Sequence, residues 1–161
     1  MQNIRNNDRC IIDDAHGVNK IWDRILRILD NKTELASVLT APWITQSTQR
    51  AVGINERMRF LRYDEGTYFA PHYDGQYVRG SELGEEHKGE RSYVTFQLYL
   101  NQGFDGGATR FLHRRDSSVG YDVVPRTGSV LLFQHDCFHE GSVLVQGRKY
   151  CVRSDIMYQV H

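Results

Sequence analysis

Apolar residues recur at two different periods along the chain, and the change falls near Asn55. Before it, Val18, Ile21, Trp22, Ile25, Ile28 and Leu29 follow i, i+3, i+4, i+7 spacing. That spacing predicts an amphipathic helix that ends near Asn31 and covers one face of a core. Residues 33–39 predict a further helical turn, broken at Ala41-Pro42, while residues 1–14 are polar and aperiodic. After Asn55 the period falls to two. Residues 58–63 read as a strand, Asp64-Glu65-Gly66 as a turn, and 67–74 as a strand or strand end.

The clearest alternation lies in 92–100, with Tyr93, Thr95, Gln97 and Tyr99 on one face and Val94, Phe96, Leu98 and Leu100 on the other. One face therefore belongs to a core, and the other fronts a more polar cavity. Further short strands are predicted at 109–112, 121–124 and 129–133, at the apolar step Val143-Leu144-Val145, and at 148–158. Many short strands between turn signals predict a mainly β fold, a sandwich or barrel with a helix attached. The expected organisation is a single domain over 1–161, with helical support at about 15–40 and a β core at about 56–158. Within the β core, 79–91 is charged, carries Gly80, Gly84 and Gly89, and has no apolar period, which predicts a mobile lid.

Composition narrows the partners. Twenty basic and twenty acidic residues cancel, so no global field draws the chain to nucleic acid or to an anionic membrane. No apolar run reaches the length of a membrane span, and 1–14 lacks a signal-like core. The expectation is a soluble, cytoplasmic protein with neither membrane nor nucleic-acid partners. Cys10, Cys137 and Cys151 form no Cys-x-x-Cys pair and read as reduced thiols.

The candidate chemistry centres on His72 and Asp74. On a strand their separation of two aims both from one face, which supplies two members of a two-histidine, one-carboxylate facial triad. A third ligand should be a distant histidine. The third ligand is expected on a strand well downstream of Asp74; of the histidines there, His87, His113 and His161 sit in loops or at the terminus, which leaves His135 and His139. His139 is preferred because Lys149 lies ten positions after it and shares a strand face with Cys151 and Arg153. A cation inside a β core is costly unless it meets an anion there, so Lys149 or Arg153 is expected to bind the carboxylate of an anionic cosubstrate.

The set of His72-x-Asp74, distal His139, Lys149, Tyr63 in Arg-Tyr-x-x-Gly, and Tyr99-Leu100-Asn101 resembles the Fe(II)/2-oxoglutarate dioxygenases of the prolyl 4-hydroxylase-like group. The resemblance runs from about Arg5 to Tyr158. It implies a double-stranded β-helix, a cupin-like jelly-roll barrel, with Fe(II) held by His72, Asp74 and His139. It further implies 2-oxoglutarate anchored at its far carboxylate by Lys149, with Arg153 as the alternative, and Tyr63 and Tyr99 hydrogen-bonding nearby. Dioxygen and ascorbate complete the implied cofactors. The implied reaction is hydroxylation of a C–H bond in a peptidyl, prolyl among them, or small-molecule substrate, with release of succinate and carbon dioxide. Two other readings stay open: a non-catalytic metal-binding β-barrel, against which Lys149 and Tyr99 weigh, and a nucleic-acid demethylase, against which the neutral charge weighs.

Overall fold

Asp14 starts the only helix longer than a single turn among the described residues. Its Oδ1 accepts the Gly17 N–H at 2.8 Å and its carbonyl accepts the Val18 N–H, so two donors of the first turn are satisfied. The computed structural model describes residues 4–30, 39, 50–81 and 84–159. The elements run β1 (Asp8–Asp13), α1 (Ala15–Asp30), β2 (Arg50–Ile54), β3 (Arg57–Tyr63), β4 (Phe69–His72) and β5 (Arg91–Tyr99). They continue with β6 (Asp105–Gly106), β7 (Thr109–His113), β8 (Asp116–Val123), β9 (Val130–Gln134), β10 (His139–Gly141), β11 (Leu144–Gln146) and β12 (Lys149–Gln159). Apart from Leu39, the helical turn expected at 33–39 and its break at Ala41-Pro42 lie outside the described residues.

One sheet has the order β1-β3-β12-β5-β9, with β2 also paired to β12; a second has the order β4-β10-β7-β8; β6 and β11 form a third, two-stranded sheet. All pairings are antiparallel. This is the strand topology of a double-stranded β-helix. Among the described residues the sheets do not close into one hydrogen-bonded barrel, so the expected barrel is instead a pair of facing sheets.

Alternation along the central strands decides what each face does. Met58 of β3, Val94 and Phe96 of β5, and Val152, Ile156 and Tyr158 of β12 turn to one side and pack with Val18 and Trp22 of α1. The opposite face carries Leu61, Tyr63, Tyr99 and Cys151, which cluster with Leu144. On that inner side Thr109 of β7 meets Gln97 at 2.9 Å and Tyr99 at 2.7 Å, which joins the two large sheets across a polar contact.

Three expectations change. The aperiodic residues 8–13 form β1, because pairing with β3 recruits a segment that buries none of its own side chains. The strand period starts at Arg50, not after Asn55, and β8 begins at Asp116, ahead of the predicted 121. The segment 79–91 is not a free lid at its stem. Arg79 donates its N–H to the Glu90 carbonyl, and the buried Arg79 guanidinium sits 3.0 Å from Glu56 and 3.2 Å from Glu90. Its Nε faces Glu90 without a well-aligned hydrogen bond, so that contact is mainly ionic.

Removing one member of a buried ion pair leaves the others uncompensated and costs about 3–5 kcal/mol. Arg79→Ala is therefore expected to lower the unfolding free energy by about 3 kcal/mol in urea titrations. A loss below about 1 kcal/mol would show that the stem is held by its backbone alone.

Candidate metal centre

The two histidines of the site lie opposite each other on neighbouring strands. His72 of β4 and His139 of β10 are register partners, with ring centroids 4.3 Å apart. Asp74 stands two residues beyond His72, just past the end of β4, where its N–H donates to the His135 carbonyl at 3.1 Å. His72 Nε2 lies 3.6 Å from Asp74 Oδ1 and His139 Nε2 lies 3.8 Å from Asp74 Oδ2. One donor atom from each of the three residues falls within 4.8 Å of the others, close enough to share a single ion.

The tautomers are fixed by geometry. His72 Nδ1 is 2.7 Å from the Ala70 carbonyl and His139 Nδ1 is 2.9 Å from the Cys137 carbonyl. A carbonyl oxygen only accepts, so each Nδ1 carries a proton, and Nε2 is the atom of each ring left to offer a lone pair to a cation. Apolar rings hold this orientation: Phe69 stacks on His72 at 3.8 Å and Phe133 meets His139 edge-on at 4.6 Å.

Burial pushes the Asp74 carboxyl upward, but the proximity of the His72 ring, the charge of Arg153 and the hydrogen bond from the Thr95 hydroxyl outweigh it, leaving the group well below the ordinary carboxylate range. Asp74 therefore stays ionised. For His139 burial is the leading influence and lowers its pKa, against the opposing pull of Asp74. Neutral imidazole and ionised carboxylate are the forms that a divalent metal needs.

The same cavity is lined by Lys149, Arg153, Tyr63, Gln97 and Thr109. Lys149 is 1% exposed, and among the described residues no carboxylate lies within ion-pair distance of it. Its Nζ donates to the Gly107 carbonyl at 2.6 Å and lies 4.8 Å from the Tyr63 ring centroid and 5.7 Å from that of Tyr99. An ammonium has three donors, so this buried cation keeps hydrogen-bonding capacity for an anion. Burial accordingly depresses its pKa. Burial also raises the two flanking phenols, Tyr99 to about 12, so they remain neutral hydroxyls.

Arg153 differs from Lys149 in being already engaged, by Asp74 at 2.7 Å. His135 stays outside the donor group: it contributes its backbone carbonyl, and its ring faces Asp155 at 3.4 Å. The sequence did not point to Thr109, Gly107 or Asp155. Thr109 and Gly107 follow a turn whose spatial partner is not encoded locally, and Asp155 is visible only as one more position of the Lys149, Cys151, Arg153 face.

A family model described as the 2OG-Fe(II) oxygenase superfamily matches residues 58–154. Among solved structures, the chain is similar to a viral collagen prolyl hydroxylase from Paramecium bursaria Chlorella virus-1 in complex with 2OG. That match has 16% identity and a TM-score of 0.59, and covers 97% of this chain and 80% of the other. A prolyl-4-hydroxylase from Pseudomonas putida matches with 19% identity and a TM-score of 0.56, covering 97% and 71%. A prolyl hydroxylase from Trichoplax adhaerens, in complex with a hypoxia inducible factor peptide fragment, matches with 17% identity and a TM-score of 0.57, covering 97% and 65%. At these identities the likeness establishes the fold. A comparison with curated proteins finds no match.

Because burial lowers the His139 pKa, folding favours the neutral ring. The resulting stability is fully present above the unfolded imidazole value of about 6.5 and is lost as pH falls through the depressed folded value. Thermal melts in chelator should thus decline as pH falls below the unfolded imidazole value of about 6.5, and His139→Gln should flatten that part of the profile. A decline of the same size in the variant would contradict the origin assigned to it.

Proposed function

The chain belongs to the 2OG-Fe(II) oxygenase superfamily, and from that premise we propose that it is an Fe(II)- and 2-oxoglutarate-dependent dioxygenase that hydroxylates a C–H bond of a peptidyl substrate. The observation that carries this reading is that His72 and His139 of the His72, Asp74 and His139 donor group line one cavity with a buried cation at Lys149 that has no carboxylate within ion-pair distance among the described residues. A binding module with a structural metal has no use for the second feature, since an uncompensated buried ammonium costs stability. An enzyme that takes an anionic cosubstrate beside its metal does.

The donor set fits iron: two neutral imidazoles and one carboxylate leave positions open for further ligands. Bound iron supplies the activation of dioxygen, coupled to oxidation of 2-oxoglutarate to succinate and carbon dioxide. The chain's own residues hold and orient. His72 and His139 offer Nε2, Asp74 offers its charge, and Lys149, which lies against the rings of Tyr63 and Tyr99, would hold the far carboxylate of the cosubstrate. Leu61, Phe69 and Phe133 surround the site with apolar surface that limits water. In this reading the chain works as one domain, and ascorbate would be the reductant that keeps the iron as Fe(II).

The prolyl hydroxylases among the similar structures make a prolyl peptide the first substrate to test. Incubation with proline-containing peptides, iron and 2-oxoglutarate in air should give a mass gain of one oxygen matched by succinate. Succinate formation alone, with no product among peptides, would shift the substrate to a small molecule.

Replacing a charged hydrogen-bond donor removes about 1.5–3 kcal/mol. Lys149→Ala should weaken 2-oxoglutarate binding to the anaerobic iron-loaded protein by roughly one to two orders of magnitude. Because burial lowers the Lys149 pKa and only the ammonium binds the anion, wild-type affinity should fall with rising pH below the usual lysine range. Affinity that is indifferent to both changes would remove Lys149 from the anchor role.

A further inference from the structure

Arg153 enters the cavity from β12, where it lines the same wall as Lys149. Its Nη2 is 2.7 Å from Asp74 Oδ1 and 3.6 Å from Asp155 Oδ1. Asp155 is 2% exposed and lies 3.3 Å from Arg59 and 3.4 Å from His135, so this carboxylate is fixed by its surroundings. Arg153 Nε makes no hydrogen bond, which leaves the Nη2 end to hold the guanidinium in place.

The two oxygens of Asp74 therefore meet different donors. Oδ1 faces a permanent cation at 2.7 Å and lies 3.6 Å from His72 Nε2, whereas Oδ2 accepts the neutral Thr95 hydroxyl and lies 3.8 Å from His139 Nε2. A guanidinium does not lose its charge, and an oxygen already bound to one cation is a poor site for a second. A hydroxyl imposes no such penalty. Both imidazole lone pairs remain free, so a metal can be held without Oδ1.

We propose that Arg153 is a positioning residue that reserves Asp74 Oδ1 and restricts the metal to Oδ2, so that Asp74 binds through one oxygen and the remaining coordination positions stay open. This rests on the reading of His72, Asp74 and His139 as the metal ligands. It also separates the two cations of β12: Lys149 is free to take the cosubstrate, whereas Arg153 prevents the carboxylate from closing on the metal. Without Arg153, Asp74 gains a second oxygen for the metal and the metal loses a neighbouring positive charge. Both changes favour the metal, and the first obstructs the cosubstrate.

The test compares wild type with Arg153→Met, Arg153→Gln and Arg153→Lys by calorimetric titration of Zn(II), followed by titration of 2-oxoglutarate into each Zn(II)-loaded protein. Background Zn(II) binding is taken from His139→Ala. The neutral variants should bind Zn(II) about tenfold more tightly and 2-oxoglutarate about tenfold more weakly. Arg153→Lys, which keeps the charge, should stay near wild type for the metal. The use of two neutral side chains of different shape guards against one that fails to fold.

Opposite shifts in the two affinities support the proposal. Unchanged Zn(II) affinity with weakened 2-oxoglutarate would make Arg153 a direct anchor and overturn it. Weakening of both would reduce Arg153 to a structural part and overturn it equally. Wild type that binds no Zn(II) above the His139→Ala background would instead reject the ligand assignment on which it rests.

Discussion

His72 and His139 each donate Nδ1–H to the carbonyl two residues earlier in the chain, and the site depends on that repeated contact. It ties the Nδ1 proton of each ring to its own segment and turns Nε2 inward. Because the two residues are register partners on β4 and β10, the pairing of those strands brings the lone pairs to one side. Asp74 then has to arrive with its charge intact in a half-dry cavity, which Thr95 and Arg153 ensure from the facing sheet. The candidate metal centre is thus a junction between two sheets, with the imidazoles from one and the groups that orient the carboxylate from the other.

Strand β12 carries the division of labour. Its even positions, Val152, Ile156 and Tyr158, fill the core against α1, while Lys149, Cys151, Arg153 and Asp155 line the inner side. Charges placed four residues apart on that inner face have opposite conditions. Arg153 is matched by Asp74 and Asp155, whereas Lys149 has only a backbone carbonyl and two aromatic rings. A buried ammonium without a counter-ion is unfavourable unless the protein gains by it elsewhere, and on the proposed reading the binding of a dianion would be such a gain.

Most of this arrangement was legible in the periods of the sequence. Alternation in 92–100 separated Val94 and Phe96 from Thr95, Gln97 and Tyr99, and the structure divides them the same way. The grouping of His139 with His72 and Asp74, in preference to His135, also came from the spacing to Lys149. What stayed hidden depends on contacts distant in sequence. β1 exists because β3 offers it an edge, although its own residues are exposed on both sides. The stem of 79–91 looked free because its charges suggested solvent, yet Arg79 is neutralised by Glu56 from the turn between β2 and β3. Whether Arg153 or Lys149 was available for an anion could not be decided without knowing that Asp74 ends beside Arg153.

The central claim is that His72, Asp74 and His139 hold one metal ion through two Nε2 atoms and one carboxylate. Nitrogen-15 spectra of histidine-labelled protein during titration with Zn(II), a diamagnetic substitute for iron, test it most directly. The account predicts saturation at one equivalent, with the Nε2 signals of His72 and His139 moving to metal-bound positions, their Nδ1–H signals retained, and the His135 ring keeping its metal-free signals. Coordination by His135, or by Nδ1 of either ligand, would contradict it.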